Sequence, residues 1–200
     1  MSIARVREAY SARAAEYISR FGSIEAAAEQ DREYVLAWAR GVNGRIIDVG
    51  CGPGHGTSYL HESGVDIEGV DPVAEFINDA RQRYPRVDYR IGDADRLGVE
   101  DASLGGLLAW FSLIHHEPDE MGEVLTEFAR CVRPGGGLAI GFFEAAELAA
   151  FDHAVTTAYF WPVGLLSSRV ERAGFVIADL HRRTDPETRP QGAIIAQRTA

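Results

Sequence analysis

The residues with the strongest chemical character lie at Ile46-Ile47-Asp48-Val49-Gly50-Cys51-Gly52-Pro53-Gly54-His55-Gly56-Thr57. An apolar run enters an acid, then glycines at alternate positions, then a helix-forming stretch. Glycine tolerates positive φ and lets a ligand approach the main chain. Each one costs about 0.5–1 kcal/mol of chain entropy, so this spacing predicts a bound molecule rather than a mere turn. A side chain at Gly50 or Gly52 is expected to occupy that molecule's volume. A dinucleotide loop needs Gly-x-Gly-x-x-Gly. Counted from Gly50 the third glycine falls on His55, and counted from Gly52 it falls on Thr57. Both registers fail, which disfavours a nicotinamide-dependent oxidoreductase. The spacing suits a nucleoside joined to an amino acid, lying along Gly50, Cys51, Gly52 and Gly54.

Two more acids fit the same ligand. Asp71 follows Asp48 at about the spacing of a ribose-binding acid, and its two oxygens can accept both ribose hydroxyls. Pro72 beside it offers an apolar wall. Asp93, in Gly92-Asp93-Ala94-Asp95, can accept an adenine amine. His115 and His116 lie where a base is useful, because open α/β folds bind ligands at the carboxyl edge of the sheet. The competing reading makes one a packing residue and the other a helix cap, and His153 and His181 are weaker candidates. Trp110, Phe111, Phe142, Phe143, Phe151, Tyr159, Phe160 and Trp161 form an aromatic set divided between core and pocket. Trp110, at the same edge, is counted with the ligand-binding residues. Arg169, Arg172, Arg182 and Arg183 could hold an anion, although a solvated surface is the simpler role for each.

The elements that must position these groups follow from periodicity. Short apolar runs alternate with helical patterns, the signature of a parallel sheet with crossover helices. Strands are predicted at 45–50, 67–71, 87–91, 107–111, 138–143, 175–181 and 193–198. The last two are joined by a loop too short for a crossover, so they should be antiparallel. Helices are expected at about 56–63, 73–84, from Pro118 to the turn Arg133-Pro134-Gly135-Gly136, and up to a cap at Gly174. Two further helices, about 3–17 and 23–41, precede the first strand. Residues 144–161 are apolar but irregular and are expected to be a helical insertion or lid. The fold class is thus α/β: a Rossmann-like, seven-stranded, mostly parallel sheet with an antiparallel last strand and helices on both faces. One domain is expected, with a helical cap at 1–43, a ligand-binding core at 44–143, an insertion and last helix at 144–173, and closing strands at 174–200.

Composition narrows the partners. A hydrophobic fraction of 46% with 25% charged residues is ordinary for a globular chain. The net charge of −10 repels polyanions, so nucleic acid is disfavoured. No apolar run is long enough to span a membrane, and the first residues lack the core of a secretory signal. Two cysteines, neither in a Cys-x-x-Cys pair, predict no zinc or other metal site and a reducing, cytoplasmic setting. Oligomeric state leaves no mark.

On these residues the chain resembles the class I S-adenosylmethionine-dependent methyltransferases, well over residues 46–143 and loosely outside them. Asp48-x-Gly50-x-Gly52-x-Gly54 matches the family's first motif, Asp71 its ribose acid and Asp93-Ala94 its adenine contact. Arg133-Pro134-Gly135-Gly136-Gly137 resembles the turn before its fifth strand. Tyr10-Ser11-x-x-Ala14-x-x-Tyr17 resembles an N-terminal helix that closes over the cofactor, which implies that Tyr10 or Tyr17 touches the methionine end. The family often has an acid before the fourth strand, where this chain has Gly105-Gly106. The resemblance implies S-adenosylmethionine as cofactor and in-line methyl transfer to a small molecule. Alignment of reactants can remove about 7–11 kcal/mol of barrier, against about 10²–10⁴-fold from a base, so no obvious base is required. The accepting atom (O, N, S or C) stays open. The alternative is a non-catalytic protein that binds S-adenosylmethionine or S-adenosylhomocysteine.

Overall fold

The structure is a computed structural model that describes residues 3–185 and 188–200. Five strands run parallel: β1 (Ile46–Val49), β2 (Ile67–Asp71), β3 (Tyr89–Ile91), β4 (Leu104–Trp110) and β5 (Val132–Glu144). Their order is β3-β2-β1-β4-β5. The order reverses between β1 and β4, and the carboxyl ends there open the crevice in which such sheets bind ligands. The crossovers are helices α4 (His55–Glu62), α5 (Ala74–Arg83) and α6 (Met121–Cys131).

Alternation along the central strands feeds two cores. Ile47, Leu107 and Leu138 pack with Leu125 and Phe128 of α6 and with Leu166 and Val170 of α7 (Val163–Arg172). Ile46, Leu108 and Ala139 face the other way, onto Leu60 of α4 and onto Val35 and Ala39 of α3 (Glu29–Gly41). Strands covered on both faces read as continuous apolar runs, which is why they were legible. β8 (Phe175–Arg183) and β9 (Gln191–Arg198) form the expected antiparallel pair, and β9 also runs antiparallel to β5. Gly174, at φ +96, follows α7 as the left-handed cap.

Several expectations are corrected. Residues 144–161 are not helical. They form a hairpin, β6 (Ala149–Asp152) and β7 (Thr157–Trp161), that adds two strands to the expected seven. β7 pairs in parallel with Phe143 and Glu144. Phe143 also pairs with β9, so β7 must occupy the side of β5 that β4 leaves free after Trp110. The physical reason is twofold. The end of β5 has main-chain groups to satisfy, and Thr157, Tyr159, Phe160 and Trp161 are strand-favouring types. The first predicted helix breaks at Arg13 into α1 (Ile3–Ala12) and α2 (Ala14–Phe21). The second begins with a separate 3-10 turn, Ile24–Ala26. The Arg133–Gly136 turn is drawn into the start of β5.

The pair Gly105-Gly106 has a packing cause. A Cβ on Gly105 would lie 2.3 Å from the Asn43 carbonyl oxygen, and one on Gly106 would meet Val42 and Trp38. The bare strand lets the end of α3 lie directly on the sheet.

Candidate active site

Strand β1 delivers the glycine loop to the crevice, with Gly50, Gly52 and Gly54 all at positive φ. They differ in what surrounds them. A Cβ on Gly50 would strike Ser112 Cβ at 2.3 Å, and one on Gly54 would strike Tyr89 and Ala80. A Cβ on Gly52 would meet nothing within 4 Å. At Gly50 the protein itself already excludes a side chain, although the residue lines the first two cavities. Gly52 alone of the three faces open space, and the room it leaves is the cleft. Phe111, also left-handed at φ +56, donates its N–H to the Gly141 carbonyl and sets Ser112 against Gly50.

Asp71 closes the loop. One carboxylate oxygen accepts the Gly52 N–H at 2.8 Å and the other accepts the Val73 N–H at 2.8 Å. Each oxygen keeps a second lone pair for a hydroxyl. Burial pushes the Asp71 carboxyl up to about 6, against the pull of these two bonds. Asp48 accepts a 2.7 Å bond from the Thr57 hydroxyl at the start of α4, and burial pushes it up to about 7. Asp71 lines the first of the cavities beside the loop and Asp48 the second.

Three cavities adjoin at Tyr17 and Trp110, which line all of them. The first holds Asp71, Pro72, Asp93, Ala94 and Gly52, with Tyr10, His115 and His116. The second holds Asp48, Cys51 and Pro53 under α3. The third, of about 550 Å³, lies between the cap and the hairpin. Of the cofactor-binding residues expected from sequence, all but Gly54 line the first two cavities, with Tyr10, Tyr17 and Trp110 reaching into the third, whereas Gly54 packs against Tyr89 and Ala80. Cys51 is less available than expected. Its side chain packs with Ile77, Ala80, Val87 and Tyr89, and burial raises its thiol well above the usual range.

The two histidines have distinct settings. His115 Nδ1 lies 2.7 Å from the Thr157 carbonyl and must carry the proton to bond there. Its Nε2 is then the acceptor of the Tyr10 hydroxyl at 2.9 Å. Burial holds His115 down at about 4, hence neutral. His116 is buried too, with Nδ1 unpartnered among the described residues, and lies near Glu120, Asp95 and Asp93. Burial lowers it as well.

Sequence reasoning missed Arg32. It lies on α3, lines the second cavity beside Asp48, and its buried Nε has no partner among the described residues. Only the fold brings α3 over the glycine loop, so no local pattern marks it. Among the described residues no group of three or more His, Cys, Asp or Glu could hold a metal ion.

A bare loop, a ribose-type acid and a switch-point crevice define a doubly wound fold built for a nucleoside. Comparison with known proteins gives the family. A family model described as a methyltransferase domain matches residues 46–136. The demethylmenaquinone methyltransferase of Beutenbergia cavernae is 31% identical over 108 residues, 54% of this chain and 44% of that protein. The malonyl-[acyl-carrier protein] O-methyltransferase of Pectobacterium atrosepticum is 27% identical over 143 residues, 71% of this chain and 54% of that one. The chain spans about half the length of these curated relatives. A crystal structure of Burkholderia thailandensis 1,6-didemethyltoxoflavin-N1-methyltransferase, with 1,6-didemethyltoxoflavin and S-adenosylhomocysteine bound, superposes with a TM-score of 0.82. It is 24% identical, covering 99% of this chain and 89% of that one. Residues 46–136 thus match a methyltransferase domain, and the relatives and the solved structure together support a class I, S-adenosylmethionine-dependent methyltransferase.

Proposed function

We propose that the protein transfers a methyl group from S-adenosylmethionine to a small-molecule acceptor by in-line displacement. The observation that carries this reading is Gly52: left-handed, facing space that no protein atom fills, and tied by its N–H to the acid meant for the ribose. When bound, S-adenosylmethionine supplies a methyl group on a positively charged sulfur. The residues fit it. Asp71 would hold the ribose hydroxyls, Asp93 and Ala94 the adenine edge, and Pro72 the ring face. Gly50, Cys51, Gly52 and Gly54 would carry the chain of the ligand. Arg32, with a donor to spare, would hold its carboxylate, while Asp48 would face its positive groups. Tyr10, Tyr17 and Trp110 would close around the reacting end and exclude water. His115 and His116 are better placed to hold Tyr10 and the adenosine side than to meet an acceptor.

The relatives' names point to modest acceptors: demethylmenaquinone, a carrier-bound malonyl group and 1,6-didemethyltoxoflavin. A net charge of −10 disfavours nucleic acid. The third cavity favours an enzyme over a non-catalytic binder, since a binder needs no space beyond the cofactor. Two free, buried cysteines suit a reducing, cytoplasmic setting. No helix among the described residues is long and apolar enough to cross a membrane.

The test is calorimetric. S-adenosylhomocysteine should bind in the micromolar range and NAD should not bind. Alanine at Asp71 should cost about 1–3 kcal/mol of that affinity through the lost ribose bonds. An unchanged affinity in the folded variant would remove the assignment.

A further inference from the structure

We propose that the acceptor is a flat ring compound methylated at a nitrogen or oxygen that carries a removable proton, and that His153 takes that proton. The inference rests on the methyltransferase reading above. It starts from the third cavity, whose walls include Trp110, Phe111, Ile114 and Phe143. The Phe111 and Phe143 rings lie 5.2 Å apart, and Phe151 backs Phe143 at 5.5 Å. Such walls attract a ring beyond the area it covers, and about 550 Å³ is the scale of a small-ligand pocket. At the far side the Arg183 guanidinium bonds Asp31 at 2.7 Å and the Gln191 side-chain oxygen at 2.5 Å, a polar end for ring heteroatoms.

Of the described histidines, only His153 lines this cavity. Its Nδ1 is buried and unpartnered among the described residues. His115 cannot serve as directly, because Thr157 and Tyr10 take both of its nitrogens. His116 lines the adenosine cavity instead. His153 sits between β6 and β7, its ring 5.1 Å from that of His115. Arg189, ahead of β9, acts on its charge, and Arg13 bonds the carbonyl of the neighbouring Ala154 from the break between α1 and α2. Burial first, and then Arg189, hold the imidazole below its usual pKa, so it is neutral at neutral pH.

The step balances. The neutral His153 imidazole removes the proton from the ring N–H or O–H. The freed electron pair forms the bond to the methyl carbon. The carbon–sulfur bonding pair stays on sulfur, which becomes a neutral thioether. The half-buried imidazolium then returns its proton to solvent.

The test begins without turnover. Protein loaded with S-adenosylhomocysteine is titrated calorimetrically with lumazine, xanthine and 8-hydroxyquinoline, and with hexanoate and butylamine. At least one ring should bind about tenfold or more tighter than either open-chain compound, a difference of about 1.4 kcal/mol. That ring should also move the His153 imidazole nitrogen resonances. No ring binding, equal binding of the open-chain compounds, or an unmoved His153 overturns the proposal. Failure to bind S-adenosylhomocysteine itself would instead remove the methyltransferase reading. With the bound ring and radiolabelled S-adenosylmethionine, His153→Phe and His153→Gln should lose about 10²–10⁴-fold in turnover at pH 7. Both should retain S-adenosylhomocysteine affinity and recover toward wild type above the ring's own pKa. A loss equal at every pH would show that His153 only shapes the cavity.

Discussion

Burial raises Asp48 and Asp71 alike, the first to about 7 and the second to about 6, so both gain protons as pH falls just below neutrality. A cationic ligand requires the ionised form. The sign follows. A carboxyl whose folded pKa is raised gives stability below its unfolded pKa, near 4, and loses it as pH rises through the folded value. Ligand-free protein should therefore lose stability from these two groups between about pH 4 and 7. S-adenosylmethionine affinity should rise over about pH 5.5 to 8. Thermal shift measurements at several pH values check both slopes. Asp48→Asn should raise the ligand-free melting temperature at pH 8 and weaken the cofactor. Arg32 makes a second, sharper point. Arg32→Ala should weaken S-adenosylhomocysteine by at least about 1 kcal/mol, the scale of a charge-assisted hydrogen bond. It should leave 5′-methylthioadenosine, which lacks the amino-acid group, unchanged. Equal losses for both ligands would place the carboxylate elsewhere.

Elements set the geometry through close approach. Gly105 and Gly106 on β4 let Asn43, Val42 and Trp38 rest on the sheet, with Gly137 of β5 also beneath Trp38. Gly105→Ala forces a methyl group against the Asn43 carbonyl, an overpacking that should cost about 1–3 kcal/mol in denaturant unfolding. A neutral effect would mean that the junction before β1 yields easily. The same pair shows what was legible. The parallel strands, their helices and the closing antiparallel pair follow from local pattern, because strands covered on both faces must be continuously apolar. The glycine loop was legible because positive φ at Gly50, Gly52 and Gly54 favours glycine, and Asp71 stood out as an acid at a strand end. The reason for Gly105-Gly106 was hidden, since it depends on a helix distant in the contact. The β6–β7 hairpin was hidden for a similar cause: its partner is the stretch of β5 that β4 leaves unpaired. Arg32 went unread, and His153 was read only as a weaker candidate, because their meaning comes from which cavity they enter, not from their neighbours in sequence.

At the scale of the whole molecule, the cap of α1 to α3 and the β6–β7 hairpin stand over the carboxyl edge of one sheet. Tyr10 bonds His115 and Arg13 reaches Ala154, so the cap is tied to the body on both sides of the reacting end. Three cavities meet at Tyr17 and Trp110, and the proposed function assigns them to the nucleoside, the amino-acid tail and the acceptor. The chain matches about half the length of its curated relatives. The most direct measurement is a crystal of the protein soaked with S-adenosylhomocysteine. Ribose hydroxyls within hydrogen-bond distance of the Asp71 carboxylate, with the sulfur turned toward Trp110 and Tyr17, are the predicted result. A nucleoside bound away from Gly52, or none at saturating ligand, would contradict it.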